Sequence, residues 1–288
     1  MKIHLAISDT KQFFKLFKEC NVENILISYA YFKDKEDYIK CSNNWFPKRI
    51  ILDSGAFSVW NKDDTIDIDK YIKFCKEMRE FFPKEIEVYN VNLDVLPGRF
   101  GIIPTAKERE QSAIEGWKNM EYMNQNGLEV IHVFHQHEDF KWLSRLMKEK
   151  NYIGLSPAND VSTKMKLLWL DKCFAFQDNY LIKNKIKCHG FAVTGKAQMM
   201  RYPFYSVDSS SWTAGGKYAQ LKAFTQGKMK GANFKKKEQF LDIWDKLQNK
   251  TTGLLDNYLL RNVENIKFYQ DLEKYTTEVW QRNGIKWG

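Results

Sequence analysis

Short runs of apolar and β-branched residues recur along the chain, and longer runs with apolar residues at helical spacing separate them. The short runs are rich in Ile, Val, Tyr and Phe, which strands prefer. They predict eight β-strands. These strands cover residues 2–7, 24–29, 49–53, 86–92, 129–134, 151–155, 187–193 and 203–208.

The longer segments repeat apolar residues every three or four positions, which is typical of a helix with one buried face. A Pro-Thr pair at the start of one of them is a further sign that a helix begins there. The spacing predicts helices over 67–82, 105–126 and 138–149, and helical patterns return at 237–249 and 254–282.

Strands that alternate with helices indicate a parallel sheet. A count of eight is that of a closed (β/α)₈ TIM-type barrel, with an open doubly wound sheet as the alternative. We therefore expect an α/β protein with a single barrel domain over residues 1–288. A lysine-rich insertion (213–237) and C-terminal helices that complete the barrel (238–288) are expected after the eighth strand.

Carboxylates follow three of the predicted strands at the ends where such barrels carry out chemistry. They are Asp53 after strand 3, Asp94 after strand 4 and Asp208 at the end of strand 8. One carboxylate can attack an anomeric carbon while a second acts as acid or base, and a third can accept N–H groups of a heterocycle. Each could instead cap a helix, but their shared position relative to the strands favours one site.

The histidines suggest a metal site as an alternative, because His132, His135 and His137 lie within six residues. Metal-dependent hydrolases with a barrel fold use such clusters. Alternation along a strand places His132 on the opposite face from the other two. The set is then incomplete, and we predict neither a metal nor a cofactor. A hydrogen-bonding or stacking role suits His135 better. Cys188 and His189 are adjacent and also face opposite ways, which argues against a nucleophilic dyad.

Positive charge is concentrated in one segment. The formal net charge is +9, and residues 213–237 contain seven lysines and no carboxylate. Lysines neutralise phosphates, and the aromatic residues among them offer stacking surfaces for bases. The segment predicts nucleic-acid contact, with a solvated loop as the alternative. Its lysines are Lys217, Lys222, Lys228, Lys230, Lys235, Lys236 and Lys237.

Composition and termini exclude several classes of protein. No apolar run approaches the ~20 residues of a membrane span, and the charged Asp9 comes too early for a signal peptide. Aromatic residues make up 15 % of the chain, which argues against disorder. The five widely spaced cysteines fit a reducing compartment rather than a disulfide framework. We therefore expect a cytoplasmic protein without a membrane partner.

The segments that follow the predicted strands form an ordered set of motifs. They read DSGAF at 53–57, NLDVLPG at 92–98, VFHQ at 133–136, YIGLS at 152–156, GFAVTGK at 190–196 and YSVDSSSW at 205–212. In this order they resemble the strand-end motifs of tRNA-guanine transglycosylases. The VDSSSW ending and the small size are most similar to phage and bacterial relatives that place 7-deazaguanine bases in DNA.

The resemblance implies a role for each matching residue. Asp208 would be the nucleophile that attacks C1′ and expels guanine, and Asp53 the general acid and base. Asp94 and Gln136 would hydrogen-bond the heterocycle. The implied partners are DNA or tRNA and a 7-deazaguanine base such as a preQ0-type precursor. Further implied contacts to the base come from Ser54, Gly55, a stacking Phe57, and backbone groups of Gly154 and Leu155.

The sequence also departs from the family's pattern. The family's zinc motif, Cys-x-Cys-x-x-Cys with a later His, is absent, which favours another way of holding the polynucleotide. Ala56 stands where a glycine is usual, and glycines usual after Gln136 are missing. These positions line the expected base pocket, so the identity of the incoming base is open.

Three functions remain in competition. The first is base exchange in DNA, or alternatively in tRNA, and the three strand-end carboxylates favour it. The second is a nucleic-acid-binding barrel without catalysis. The third is a metal-dependent hydrolase that uses His135, His137 and Asp208.

Overall fold

Eight parallel strands form a closed barrel in the order β1 to β8, and β8 pairs with β1. The predicted (β/α)₈ barrel is confirmed, and the open sheet is wrong. The computed structural model describes residues 1–287 except 9, 61, 63, 100, 101, 215–217, 219, 226, 227 and 234–257, and only the backbone of 220, 223–225 and 228–233. The strands are β1 (Lys2–Ile7), β2 (Asn24–Ser28), β3 (Arg49–Asp53), β4 (Glu87–Val91), β5 (Val130–His135), β6 (Tyr152–Ser156), β7 (Lys187–Gly190) and β8 (Ser206–Ser209).

The last two barrel strands differ from their predicted bounds. β7 ends at Gly190 rather than 193, and β8 begins at Ser206 rather than 203. Pro203 has no N–H to donate to a neighbouring strand, and Ala192 lies in the left-handed region with a φ of 54°. The backbone therefore leaves the extended conformation at both ends of the connection between β7 and β8. Asp208 still lies within β8, as the sequence predicts.

Helices follow the strands around the outside of the barrel. The three predicted at 67–82, 105–126 and 138–149 are confirmed to within two residues at each end. Each begins after a side chain that accepts a backbone N–H of the first turn, which satisfies donors that would otherwise lack a partner. The helices are α1 (Lys11–Glu19), α2 (Lys35–Ser42), α3 (Ala56–Trp60), α4 (Ile68–Phe81), α5 (Ala106–Gln125), α6 (Phe140–Glu149), α7 (Thr163–Lys183, kinked at 176–179) and α8 (Lys196–Arg201).

Strand alternation divides the apolar side chains into two clusters. The smaller cluster fills the barrel interior with Leu26, Ile51, Val91 and Val133. The larger cluster lies between the strands and the helices. Asp53 follows Ile51 by two residues, so its side chain points to the interior side at the mouth of the barrel.

The last helix, α9 (Tyr258–Arg282), packs against β1 at the point where the barrel closes. Glu273 accepts the backbone N–H of Ile3 at 2.6 Å. Further along the helix, Trp280 donates its indole N–H to the carbonyl of Met199 in α8 at 2.9 Å. The helical pattern predicted over 254–282 is thus observed from Tyr258, whereas the pattern at 237–249 lies outside the described residues.

An antiparallel hairpin lies between β8 and the last helix. Its strands are β9 (Gln220–Thr225) and β10 (Lys228–Asn233). The predicted lysine-rich insertion therefore contains regular structure over these two strands. The side chain of Leu221 is buried, which anchors β9 to the body of the protein.

Membrane spans and disulfides were both expected to be absent. Among the residues that the structure describes, no helix is long and apolar enough to cross a membrane. No disulfide joins any of the five cysteines. Burial raises the pKa of Cys75, Cys173 and Cys188, so these thiols stay protonated.

Candidate active site

Three carboxylates meet at the mouth of the barrel. Asp53 is the last residue of β3, Asp208 lies in β8, and Asp94 follows the end of β4 by three residues. They are close enough that the negative charges of Asp94 and Asp208 both raise the pKa of Asp53. The structure therefore brings together the three side chains that the strand ends suggested.

Asp53 has a strongly perturbed carboxyl group. Burial raises its pKa to about 7, and the two neighbouring carboxylates add to this effect. Hydrogen bonds from the Ser28 hydroxyl and the Gly55 N–H act in the opposite direction but are outweighed. A carboxyl group with a pKa near neutrality can donate a proton and later accept one.

The DSGAF segment forms a tight turn that aims Asp53 inward. The N–H of Gly55 donates to Asp53 Oδ2 at 2.9 Å, and Ser54 Oγ accepts the N–H of Ala56 at 3.3 Å. Gly55 has a φ of +75°, and a Cβ there would lie 2.7 Å from Ala30 Cβ. Ser54 and Gly55 therefore build the turn, and the glycine is required by both its backbone conformation and its surroundings.

Replacing Gly55 with alanine is expected to destabilise the fold by roughly 2–4 kcal/mol, from the left-handed backbone together with the clash. Gly127→Ala is the matched control, because Gly127 also has a positive φ (+81°) but a Cβ there would meet nothing within 4 Å. It is expected to cost only about 1 kcal/mol. Urea unfolding of both variants measures the difference, and equal losses would contradict the role given to the clash.

Asp208 is oriented by the loop after β7. Its Oδ1 accepts the N–H of Ala192 at 3.0 Å and lies 3.4 Å from Nε2 of His189. The side chain is 16 % exposed, and Oδ2 makes no hydrogen bond to any described residue. One carboxylate oxygen is therefore held by the protein, while the other is available for a ligand.

Asp94 lies beside a half-buried histidine. His135 Nδ1 is 2.8 Å from Glu138 Oε1, and His135 Nε2 is 3.5 Å from Asp94 Oδ2. Burial lowers the pKa of His135, but the two carboxylates outweigh it and raise the pKa to about 10. His135 is therefore an imidazolium at neutral pH. Asp94 Oδ1 is buried without a hydrogen-bond partner, which leaves it to accept a donor from a bound molecule.

A cavity of about 90 Å³ lies beside His135, and its lining residues do not include Asp53, Asp94 or Asp208. Gln136 lines it, with its Oε1 accepting the N–H of Ala158 at 3.0 Å, and its amide nitrogen makes no hydrogen bond within the described part of the chain. Phe57 is 41 % exposed and contributes an aromatic wall together with Trp60. Other lining residues are Leu96, Pro97, Ile102, Pro104, His135, His137, Ser156, Pro157, Asn159 and Asp160.

Gly154 and Leu155 do not line this cavity. A Cβ on Gly154 would lie 2.7 Å from the ring of Phe191, so the glycine makes room for that ring. The side chain of Leu155 is buried in the larger core, and its carbonyl accepts the N–H of Phe191 at 3.0 Å. The backbone groups expected to contact a base are thus engaged within the barrel.

The predicted lysines divide into three groups. Lys222 lies against the last helix, with Nζ 2.5 Å from the Tyr269 hydroxyl and its backbone N–H bound to Asn265. Lys228 and Lys230 lie on β10, where the structure describes the backbone. Outside the described residues are Lys217, Lys235, Lys236 and Lys237.

The histidine cluster does not assemble as a metal site would require. Across the described part of the chain, no group of three or more His, Cys, Asp or Glu side chains could hold a metal ion. His132 lies 3.0 Å from the Asn92 side chain and packs against Trp117, away from His135. The ligand set that a metal-dependent hydrolase would need is therefore not assembled among the described residues.

Neither a protein-family model nor a curated protein sequence matches the chain. The similarity of the strand-end motifs to transglycosylases therefore stays an expectation.

The sequence predicts no role in the site for the polar residues next to Asp208, although it draws attention to His189. His189 is fully buried, and its Nδ1 is 2.6 Å from Ser206 Oγ. The Tyr152 hydroxyl lies 2.6 Å from the same oxygen. Ser206 precedes Asp208 by two residues, so the alternation of side chains along a strand predicts that both face the same way. The same alternation does not predict that Ser206 pairs with residues of β6 and β7.

Proposed function

We propose that the protein is a base-exchanging transglycosylase that replaces guanine in a polynucleotide with a 7-deazaguanine derivative. DNA is the proposed polynucleotide, with tRNA as the alternative. The observation that carries the proposal is the pairing of two unlike carboxyl groups at one barrel mouth. Asp53 has a pKa of about 7, and Asp208 presents one oxygen that makes no hydrogen bond to a described residue. Acid–base catalysis and nucleophilic catalysis need these two environments.

In the first half-reaction, Asp208 Oδ2 attacks C1′ of the target nucleotide. The bond from C1′ to the guanine nitrogen breaks, its electron pair moves to the base, and a glycosyl ester to Asp208 forms. Asp53 in its protonated form delivers a proton to the departing guanine. The step leaves Asp53 ionised, beside an ester that no longer carries the charge of Asp208.

In the second half-reaction, the incoming base takes the place of guanine. Ionised Asp53 removes a proton from the ring nitrogen, which attacks C1′ as the ester bond breaks. The carboxylate of Asp208 is released and Asp53 is protonated again. Both residues end the cycle as they began, so no redox partner or cofactor enters the chemical balance.

Recognition of the base is assigned to the groups around the cavity. A deazaguanine carries ring N–H and amino donors, and the unpartnered Asp94 Oδ1 can accept one of them. The amide nitrogen of Gln136 can donate to the base carbonyl. Phe57 supplies an exposed ring on which a planar heterocycle can stack.

Contact with the polynucleotide is assigned to the lysine-rich insertion, which follows directly after β8. Seven of the chain's lysines lie there without a compensating carboxylate. When such a segment binds phosphates, the affinity of the protein for the polynucleotide falls as the salt concentration increases. A target base in a duplex must also be extruded before Asp208 can reach C1′, unless the substrate is single-stranded.

Neutralising Lys228, Lys230 and Lys235 to Lys237 with glutamine is expected to weaken DNA binding and to reduce the slope of log K against log salt by about one unit for each phosphate that is no longer neutralised. Binding of the free base should hardly change. Lys222→Gln is the matched control, because the contact of its side chain with the Tyr269 hydroxyl predicts a loss of stability instead. Fluorescence anisotropy at several salt concentrations measures the slopes, and an equal loss of base binding would show that the lysines serve the fold.

The function itself is tested by incubating the protein with labelled guanine and either DNA or tRNA, followed by nucleoside analysis of the polymer. Incorporation of label, and its displacement by a 7-deazaguanine base, is the expected result. Strongly salt-dependent binding without exchange on either polymer would instead indicate the non-catalytic nucleic-acid-binding barrel.

A further inference from the structure

A chain of buried polar groups leads from the barrel interior to Asp208. The hydroxyl of Tyr152 lies 2.6 Å from Ser206 Oγ, which lies 2.6 Å from Nδ1 of His189. On the other side of the same ring, Nε2 has no hydrogen-bond partner and lies 3.4 Å from Asp208 Oδ1. The rings of Phe191 and His4 lie 4.5 and 5.9 Å from the ring of His189 and restrict its orientation.

The hydrogen bonds among these polar groups can run in either of two directions. One direction gives more of the donors an acceptor than the other. Burial raises the pKa of Tyr152 far above its ordinary value, so the phenol keeps its proton and can donate to Ser206. The Ser206 hydroxyl then donates to Nδ1 of His189, and the imidazole proton is on Nε2.

The opposite direction has two costs. A proton on Nδ1 would donate to Ser206 Oγ, and either the phenol O–H of Tyr152 or the O–H of Ser206 would then lack an acceptor among the described residues. The lone pair of Nε2 would also face the carboxylate of Asp208, since neutral imidazole has one donor and one acceptor nitrogen. Both the unsatisfied donor and the repulsion disfavour this tautomer.

We infer that Tyr152, Ser206 and His189 form a positioning relay for Asp208, with His189 held in the Nε2–H tautomer. The relay and the N–H of Ala192 both act on Asp208 Oδ1, which leaves Oδ2 without a hydrogen-bond partner among the described residues. A small rotation of the carboxylate shortens the 3.4 Å separation to a hydrogen bond.

The relay has a defined task in the proposed reaction, and this part of the inference rests on the proposed function. When the glycosyl ester breaks, negative charge returns to the Asp208 carboxylate. A prepositioned N–H at Oδ1 stabilises that charge as it develops. His189 is thus a positioning residue that acts on the substrate through Asp208.

The tautomer can be tested without any substrate. The chain contains five histidines, so nitrogen-15 NMR of the imidazoles resolves few signals, and His189→Gln assigns the one that disappears. The expected result is a protonated Nε2 and a bare Nδ1 in the wild type, with a mixture of tautomers in Ser206→Ala. A protonated Nδ1 with a bare Nε2 in the wild type would overturn the relay.

Kinetics test the consequence for Asp208. His189→Leu removes the donor and is expected to lower kcat for labelled-guanine exchange into DNA ~10²-fold with little change in KM, as for the loss of one preorganised donor. His189→Gln restores an N–H near the same place and should recover at least a tenth of the wild-type rate. Cys188→Ala is the control, because it disturbs the same strand on its other face and should leave kcat unchanged.

The outcomes separate this inference from the proposed function. Full activity in His189→Leu, together with an inactive Asp208→Asn, would overturn the relay and leave the transglycosylase in place. No exchange by the wild type on DNA or tRNA would overturn the proposed function, and the NMR result would still decide the tautomer. If His189→Leu does not fold, the kcat of Ser206→Ala decides instead, with a reduced value expected.

Discussion

Replacing Asp208 with asparagine is expected to lower base exchange by at least ~10³-fold, because an amide cannot attack C1′ and no other group replaces the nucleophile. The substitution changes neither size nor shape, and the N–H of Ala192 can still donate to the amide oxygen. The loss should therefore appear in kcat without a loss of folding. Steady-state exchange of labelled guanine, with circular dichroism of the same samples, measures both.

A carboxylate in the helix layer provides the control. Asp171 pairs with Arg201 at 2.7 Å, and Asp171→Asn should leave the exchange rate within about twofold, since surface pairs contribute little. An Asp208→Asn protein with more than a tenth of the wild-type rate would show that Asp208 is not the nucleophile.

Asp53→Asn is expected to slow exchange by ~10²–10⁴-fold, the range for a lost general acid and base. Since Asp208 is retained, the first half-reaction can still proceed slowly with a good leaving group, and a covalent protein–DNA adduct should accumulate. Denaturing gel electrophoresis detects this adduct. An Asp53→Asn protein that turns over at the wild-type rate would exclude the acid–base role.

The same substitution should stabilise the fold in a pH-dependent way. Folding raises the pKa of Asp53 from 3.8 to about 7, so its stabilising contribution is complete below pH ~4 and is lost as the pH rises to ~7. Three pKa units at about 1.4 kcal/mol each correspond to about 4 kcal/mol. Asparagine cannot ionise and avoids this loss.

Thermal unfolding from pH 4 to 8 measures the effect. The stability difference between Asp53→Asn and the wild type should grow in favour of the variant up to pH ~7 and then remain constant. A difference that does not change with pH would contradict the raised pKa. A stabilised but inactive variant would show that the wild type gives up stability for its acid–base group.

The barrel could be predicted because its signals are local. Each strand is a short apolar run between polar residues, and the count of eight indicated closure. Because Asp53 and Asp208 lie at the carboxyl ends of their strands, the barrel topology alone places them at one mouth. Boundaries near Pro203 were less accurate, since the loss of one hydrogen-bond donor shifts the start of a short strand.

The parts of the site that escaped prediction depend on contacts between elements. The relay joins Tyr152 of β6, His189 of β7 and Ser206 of β8, and the register that brings them together is not encoded in any one segment. The contact of Lys222 Nζ with the hydroxyl of Tyr269, 47 residues further along the chain, is likewise not visible in the local pattern that predicts seven phosphate-binding lysines. His135 and Glu138, by contrast, are three residues apart and could have been paired from the sequence.

The contact between the last helix and β1 has a consequence for how the nascent chain folds. Glu273 binds the backbone of Ile3 and the side chain of Asn24, 270 and 249 residues earlier. During synthesis at ~5–20 residues per second, the first strand therefore leaves the ribosome long before its covering helix exists. The region where β1 pairs with β8 is therefore the last part of the barrel that can be covered by its helix. A ribosome stalled before Tyr258 would hold a chain whose first strand is still uncovered.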